Sequence, residues 1–294
     1  MASESLFLDI AGIRFALHGL SFPLASALRD RFLVFLAESP SATPDLSVTV
    51  LPSEIEQYLP SPSEGGPLTY QLLTEFREGR LHLRSYCFEG ALDLPGRNAE
   101  IRLCAGRRGA AGSAEPMEPP PRSVENFLRV ALSWKAVDRG GLLLHASGVV
   151  RAGRAYLFFG PSGAGKTTIA RLSPEELLLN DDCILILPEA DGFTASGVPF
   201  KGADDAGARD AGSFPIAGLF RLVQAPVPAC SRLAPARGAS EILSSIPFVT
   251  ERPEGFERVF TTVEQLVRRA PVYRLEFRRD PDFWPVIERE LARG

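Results

Sequence analysis

Cysteine is scarce and scattered: Cys87, Cys104, Cys183 and Cys230 are the four in 294 residues. No two stand as C-x-x-C, which argues against a metal site or a disulfide framework, and buried free thiols are expected instead. No uncharged apolar run reaches the roughly 18 residues of a spanning helix, so no membrane partner is expected. Met1 to Leu8 carries Glu4 and no basic cluster ahead of an apolar core, unlike a signal peptide. The expected compartment is the cytoplasm. Excess charge of one sign is lacking too. Thirty-two Lys and Arg stand against 36 Asp and Glu, a net charge of −4, and no basic stripe invites nucleic acid. Histidine occurs three times, at His18, His82 and His145.

What the chain has in quantity is apolar sequence, 45% of residues against 23% charged, the balance of a globular protein. Two stretches rich in Pro, Ser and Gly punctuate it, 52–67 and 105–122, the second with prolines at 119 to 121. The second stretch divides the chain into residues 1–120 and 121–294. The first part reads as a small α+β domain of unassigned role. LFLDI and IRFAL flank Ala11-Gly12 as a hairpin, and a helix is expected over 23–38. Strand-like runs follow at 46–51, 80–88 and 99–105. His18 and His82, in or near these strands, read as structural. In the second part, Val124, Phe127, Leu128, Val130, Ala131 and Trp134 recur at helical spacing. Ser123 is placed to cap that helix and Gly140-Gly141 to end it. LLLHASGVV (142–150) and AYLFF (155–159) then flank a short turn. A turn so short allows only an antiparallel pair. The expected fold class is therefore α/β with a mixed sheet, not an all-parallel one.

The densest chemistry follows AYLFF. Gly160, Pro161, Ser162, Gly163, Ala164, Gly165, Lys166, Thr167 and Thr168 spell G-x-x-x-x-G-K-[ST] plus one residue, the phosphate-binding P-loop or Walker A pattern. Glycines let backbone N–H groups turn toward phosphate oxygens, and the helix that follows adds its positive end. Lys166 would neutralise the β and γ phosphates of ATP, and the Thr167 hydroxyl would ligate Mg²⁺. Fifteen residues on from the lysine, LLLNDDCILIL places Asp181-Asp182 at a strand end. Paired carboxylates there suit metal binding and base catalysis. If 142–150 is one strand, Leu143, His145, Ser147 and Val149 share a face, and His145 is the histidine available to this site.

In this order, LLLHASGVV, YLFFGPSGAGKTTIARL and LLLNDDCIL resemble the HPr kinase/phosphorylase family. More distantly they resemble ATP-dependent phosphoenolpyruvate carboxykinase. ASGVPFKG (195–202) and FPIAGLFRLVQ (214–224) resemble later strands and a proline-containing loop of HPr-kinase-like proteins. The chain is also similar to the shorter HPr-kinase-like proteins of peptide-modification clusters, lasso-peptide kinases included. The resemblance implies a carboxykinase-like mixed-sheet P-loop domain and an ATP- and Mg²⁺-dependent kinase. The acceptor would be a hydroxyl, serine above all, on a protein, a peptide or a small molecule. It implies Lys166 and the loop on the phosphates, Thr167 and Asp182 on the metal, Asp181 as the base, and His145 beside them as a catalytic residue. The LEIRGLG stretch of HPr kinases has no counterpart here, nor does N-K-x-D or L-S-G-G-Q, which sets HPr itself, GTPases and ABC-type ATPases aside. The rival reading is a nucleotide-binding regulatory module or an ATPase without an acceptor. A homo-oligomer stays open.

Overall fold

The computed structural model describes residues 3–38, 43–60, 71–105, 118–200, 210–250 and 253–293. Residues 61–67 and 106–117 of the two Pro-rich stretches, and 201–202 of the ASGVPFKG stretch, lie outside them. The chain forms two compact units, Met1–Ala131 and Leu132–Gly294.

The first unit is a seven-stranded mixed sheet. β1 (Glu4–Ile10) and β2 (Ile13–Leu20) form the hairpin. Ala11 and Gly12 both take positive φ, 50° and 84°, as the tightest hairpin turn requires. α1 (Phe22–Arg31) carries Pro23 in its first turn, where a missing N–H costs nothing. It stops well short of the expected residue 38. Phe32, Val34 and Phe35 are poor helix formers, and a 3₁₀ turn, Leu33–Phe35, takes over. The chain then pairs with β1, where Ala37 N–H donates to Phe7 O at 2.9 Å.

β3 (Leu46–Pro52), β4 (Leu73–Arg77), β5 (Arg80–Arg84), β6 (Phe88–Asp93) and β7 (Asn98–Leu103) complete the order β1-β2-β3-β7-β6-β5-β4. β3 lies parallel to both its neighbours; the other pairs are antiparallel. The run 80–88 is two strands rather than one. Ser85 N–H turns back to Phe88 O at 2.8 Å, which frees Tyr86 to enter a small core with Leu59 and Cys87.

α2 (Pro120–Asp138) begins three residues before the expected cap, and Ser123 is a buried helical residue instead. Pro120 and Pro121 start it because their fixed φ is helical and their nitrogens would be unpaired there in any case. Gly140, at φ 69°, ends it, and Gly141 N–H caps Ala136 O at 2.8 Å. Glu125 on this helix is fully buried and accepts from Arg31, from Arg122 at 3.0 Å and from Arg129 at 3.3 Å.

The second unit holds β8 (Leu142–Leu144), β9 (Ala146–Arg151), β10 (Arg154–Phe159), α3 (Lys166–Arg171), β11 (Leu177–Asn180), β12 (Ile184–Glu189), β13 (Gly192–Ser196) and β14 (Ser213–Gln224). β15 (Ala229–Arg232), α4 (Pro235–Leu243), α5 (Pro253–Arg269), β16 (Val272–Phe277) and α6 (Phe283–Leu291) follow. The strands run β11-β9-β10-β14-β13-β12-β8, with β16 joining β14 to β15. β9 and β10 are antiparallel, whereas β10 and β16 both lie parallel to β14. The sheet is therefore mixed, as the short turn required.

The stretch 142–150, however, is not one strand. β8 pairs with β12, while β9 pairs with β10 and β11, and His145 sits at the break. Period-2 alternation across 143–149 therefore does not orient it. Below the sheet, Phe158, Phe220 and Tyr273 stack across β10, β14 and β16, and Phe283, Trp284 and Ile287 of α6 close over them. Each such buried side chain contributes roughly 1.5–3 kcal/mol. Among the described residues no helix is long and apolar enough to cross a membrane.

Candidate functional site

Residues 160–165 connect β10 to α3, so the G-x-x-x-x-G-K-[ST] sequence sits between a strand and a helix. Gly165 enters α3 at φ 111°, and a Cβ there would lie 2.4 Å from Phe277 Cζ. Only glycine fits between this turn and the end of β16. Gln224, at the end of β14, donates to Gly163 O at 2.9 Å and pins the loop's middle. Pro161, Ser162 and Gly163 are exposed, and Ala164, Thr167 and Thr168 are half-buried.

Lys166 is 8% exposed and folds back onto its own loop. Its Nζ donates to Gly160 O at 2.9 Å and Pro161 O at 3.2 Å. Burial pushes its pKa below the ordinary 10.5, against the opposing pull of Asp182, and the nearby Arg221 charge adds to the lowering. Neutral carbonyls are weak partners for a desolvated ammonium.

The acidic pair is set by Asn180, which is fully buried. Its amide donates to Val198 O at 3.0 Å and Phe200 O at 2.8 Å. Its oxygen accepts from the N–H of Asp182 at 2.8 Å and of Cys183 at 3.1 Å. This Asx turn ends β11 and separates the two carboxylates. Asp181 is 3% exposed. The Asp182 side chain is 18% exposed and lies 3.3 Å from His145 Nδ1, whose ring is 39% exposed. His145 is fixed through its backbone. Its N–H donates to Ser245 O at 2.9 Å, and the next N–H, of Ala146, donates to Asp182 O at 3.1 Å. The break between β8 and β9 thus delivers the histidine to the acidic pair.

Lys166, Asp182 and His145 therefore gather at one end of β10, β11 and β9. Asp181 is their neighbour in sequence, but its carboxyl group is turned into the protein.

Arg221, paired in register with Phe159 at the head of the loop, went unnoticed in the sequence. It donates to Glu241 at 2.9 Å and to Leu222 O at 2.6 Å. Burial raises the Glu241 pKa, but the hydrogen bond and charge of Arg221, with Arg237, hold it below the ordinary value. Asn180 was missed too, although Asn ahead of Asp-Asp is a turn signal.

Cavities also lie elsewhere among the described residues. One of about 270 Å³ lies on the face of β4–β7, where Arg84 faces Glu89 and Arg102 lies beside Glu100. Another, of about 420 Å³, lies between α4 and α5.

The unit is thus a mixed α/β sheet that carries a strand, a glycine-rich loop and a helix, with an acidic turn beside them. The chain belongs to the family described as SynChlorMet cassette protein ScmC, whose model matches residues 126–292. The solved structure of the Hpr(Ser) kinase/phosphatase from Coxiella burnetii is similar over 51% of this chain and 97% of its own. The identity is 13% and the TM-score 0.30. No curated protein matches.

Proposed function

We propose that the second unit binds Mg-ATP and transfers its γ-phosphoryl group to a hydroxyl, serine being the leading candidate, on a protein, peptide or small molecule. One observation carries the reading: among the described residues, the hydrogen-bond partners of the buried cation Lys166 are neutral carbonyls of its own loop, with a carboxylate and an imidazole beside it. Phosphate oxygens would replace those carbonyls with charge-assisted bonds. The loop amides of 160–168 would line the phosphates.

Mg²⁺ suits the oxygen donors present. The Thr167 hydroxyl, half-buried in the first turn of α3, would hold it together with phosphate oxygens. When bound it would neutralise charge on the β and γ phosphates. The base is where the reading changes from the sequence expectation. Asp181 is too buried to meet an acceptor hydroxyl. Asp182, the more exposed carboxylate, lies against His145 and takes that role rather than a place on the Mg²⁺. Catalysis would rest on positioning and charge neutralisation.

Calorimetric titration with Mg-ATP, followed by incubation of labelled ATP with serine-containing peptides, tests this. Binding lost in Lys166→Ala, with label transferred to a hydroxyl, is the expected result. Binding without transfer to any acceptor would leave a nucleotide-controlled regulatory module. Unchanged affinity in Lys166→Ala would end the reading.

A further inference from the structure

Cys183 follows the acidic pair directly and is 2% exposed. Its Sγ lies 3.7 Å from Asp182 Oδ2, while His145 Nδ1 lies 3.3 Å from Asp182 Oδ1. One nitrogen, one oxygen and one sulfur thus lie within 4.8 Å of one another. These separations have a meaning. Around a tetrahedral ion with bonds of about 2.0–2.1 Å to nitrogen and oxygen and about 2.3 Å to sulfur, nitrogen and oxygen stand about 3.3–3.4 Å apart and sulfur about 3.5–3.6 Å from either. The His145–Asp182 separation matches; the Cys183–Asp182 separation is slightly wider and is made to the other carboxylate oxygen, so small side-chain rotations bring one oxygen, the nitrogen and the sulfur onto a single ion.

We propose that His145, Asp182 and Cys183 form a site for a borderline transition ion of the Zn²⁺ class, with the fourth position open to water. The donor set decides the metal class. Mg²⁺ prefers oxygen and octahedral geometry. Imidazole and thiolate favour Zn²⁺ and its neighbours.

The backbone supports a preformed site. Asn180 fixes the N–H groups of Asp182 and Cys183, and Ser245 O holds the N–H of His145, so all three donors project from tethered positions. Entry is from the His145 side, where the ring is exposed. On binding, the thiol proton passes to solvent and the sulfur binds as thiolate. The site shares Asp182 and His145 with the proposed transfer chemistry, so an ion of this class bound there would occupy the base and block transfer; because the ion is read without nucleotide, the two proposals fail separately.

The test is a Co²⁺ titration of the full chain without nucleotide, followed by competition with Zn²⁺. Wild-type protein is expected to bind one equivalent. It should show the near-ultraviolet thiolate-to-cobalt band and the visible bands of a four-coordinate ion, and Zn²⁺ should abolish both. Cys183→Ser should lose the thiolate band, and Cys230→Ser should keep it. His145→Ala, at a more exposed position, should weaken Co²⁺ binding at least about tenfold, which keeps the test intact if Cys183→Ser misfolds. A wild-type protein without the band, a band that survives Cys183→Ser, or His145→Ala binding as wild type would each overturn the proposal.

Discussion

Each unit buries a charge, and the two charges are treated in opposite ways. In the first unit, Glu125 is fully enclosed and is met by three guanidinium groups, from Arg31, Arg122 and Arg129. In the second, Lys166 is nearly as enclosed and is met by two neutral carbonyls, with its pKa driven down by burial. A buried charge surrounded by opposite charges ties α1 to α2 and has no capacity left over. A buried charge hydrogen-bonded to dipoles, with a carboxylate near but not paired to it, is costly in the free protein and has capacity for an anion. The contrast separates a closed ion cluster from the position proposed to receive phosphate without reference to any motif.

The comparison breaks most visibly at Lys166. Lys166→Met should cut Mg-ATP affinity by about 10²–10⁴-fold, the loss of two charge-assisted bonds of roughly 1.5–3 kcal/mol each. Thermal stability should stay level or rise, because a desolvated charge leaves with it. Calorimetry and a melting curve on the same sample check both halves. The mirror experiment is Glu125→Ala. It strands three cations at an enclosed position and should destabilise the protein by about 3–5 kcal/mol in denaturant unfolding. If Lys166→Met costs as much stability as Glu125→Ala, the distinction fails.

Asn180→Ala comes next. It removes two donated and two accepted hydrogen bonds at a buried site. A loss of about 1–3 kcal/mol is expected, together with slower ATP turnover as the Asp182 turn loosens. The smallest effect is the dependence on pH. The folded-state pKa of Lys166 is depressed, so its buried charge costs stability below that pKa, and the cost disappears as pH rises toward the unfolded value near 10.5. Wild type should therefore gain stability relative to Lys166→Met as pH rises through that window. Paired melting temperatures at neutral and alkaline pH measure it.

Local signals in the sequence were the readable ones. Ala11-Gly12 and Ala152-Gly153 marked their hairpins because positive φ at both turn residues leaves few choices. The strand, glycine-rich loop and helix were legible because the pattern itself demands that geometry. The break at His145 was hidden because Leu142–Leu144 and Ala146–Val150 are buried on both faces. Alternation is silent in such a strand. Pro120 and Pro121 read as a loop because proline serves loops and first helical turns alike. The unequal burial of Asp181 and Asp182 was beyond reach, since it depends on Asn180 bonding to Val198 and Phe200 twenty residues away. Arg221 was invisible for the same reason, because its position follows from the pairing of β14 with β10.

That pairing also has a consequence in time. β10 must wait for β14, about sixty residues later, and β14 must wait for β16. Contacts so distant in sequence make for slow folding, on the order of milliseconds to seconds. The loop's tight entry into α3 is packed by Phe277, the last residue of β16. During synthesis, the glycine-rich loop would emerge from the ribosome more than a hundred residues before the side chain that packs it. A nascent chain stalled before Phe277 should therefore leave nucleotide unbound, and one released beyond it should acquire binding in a single step.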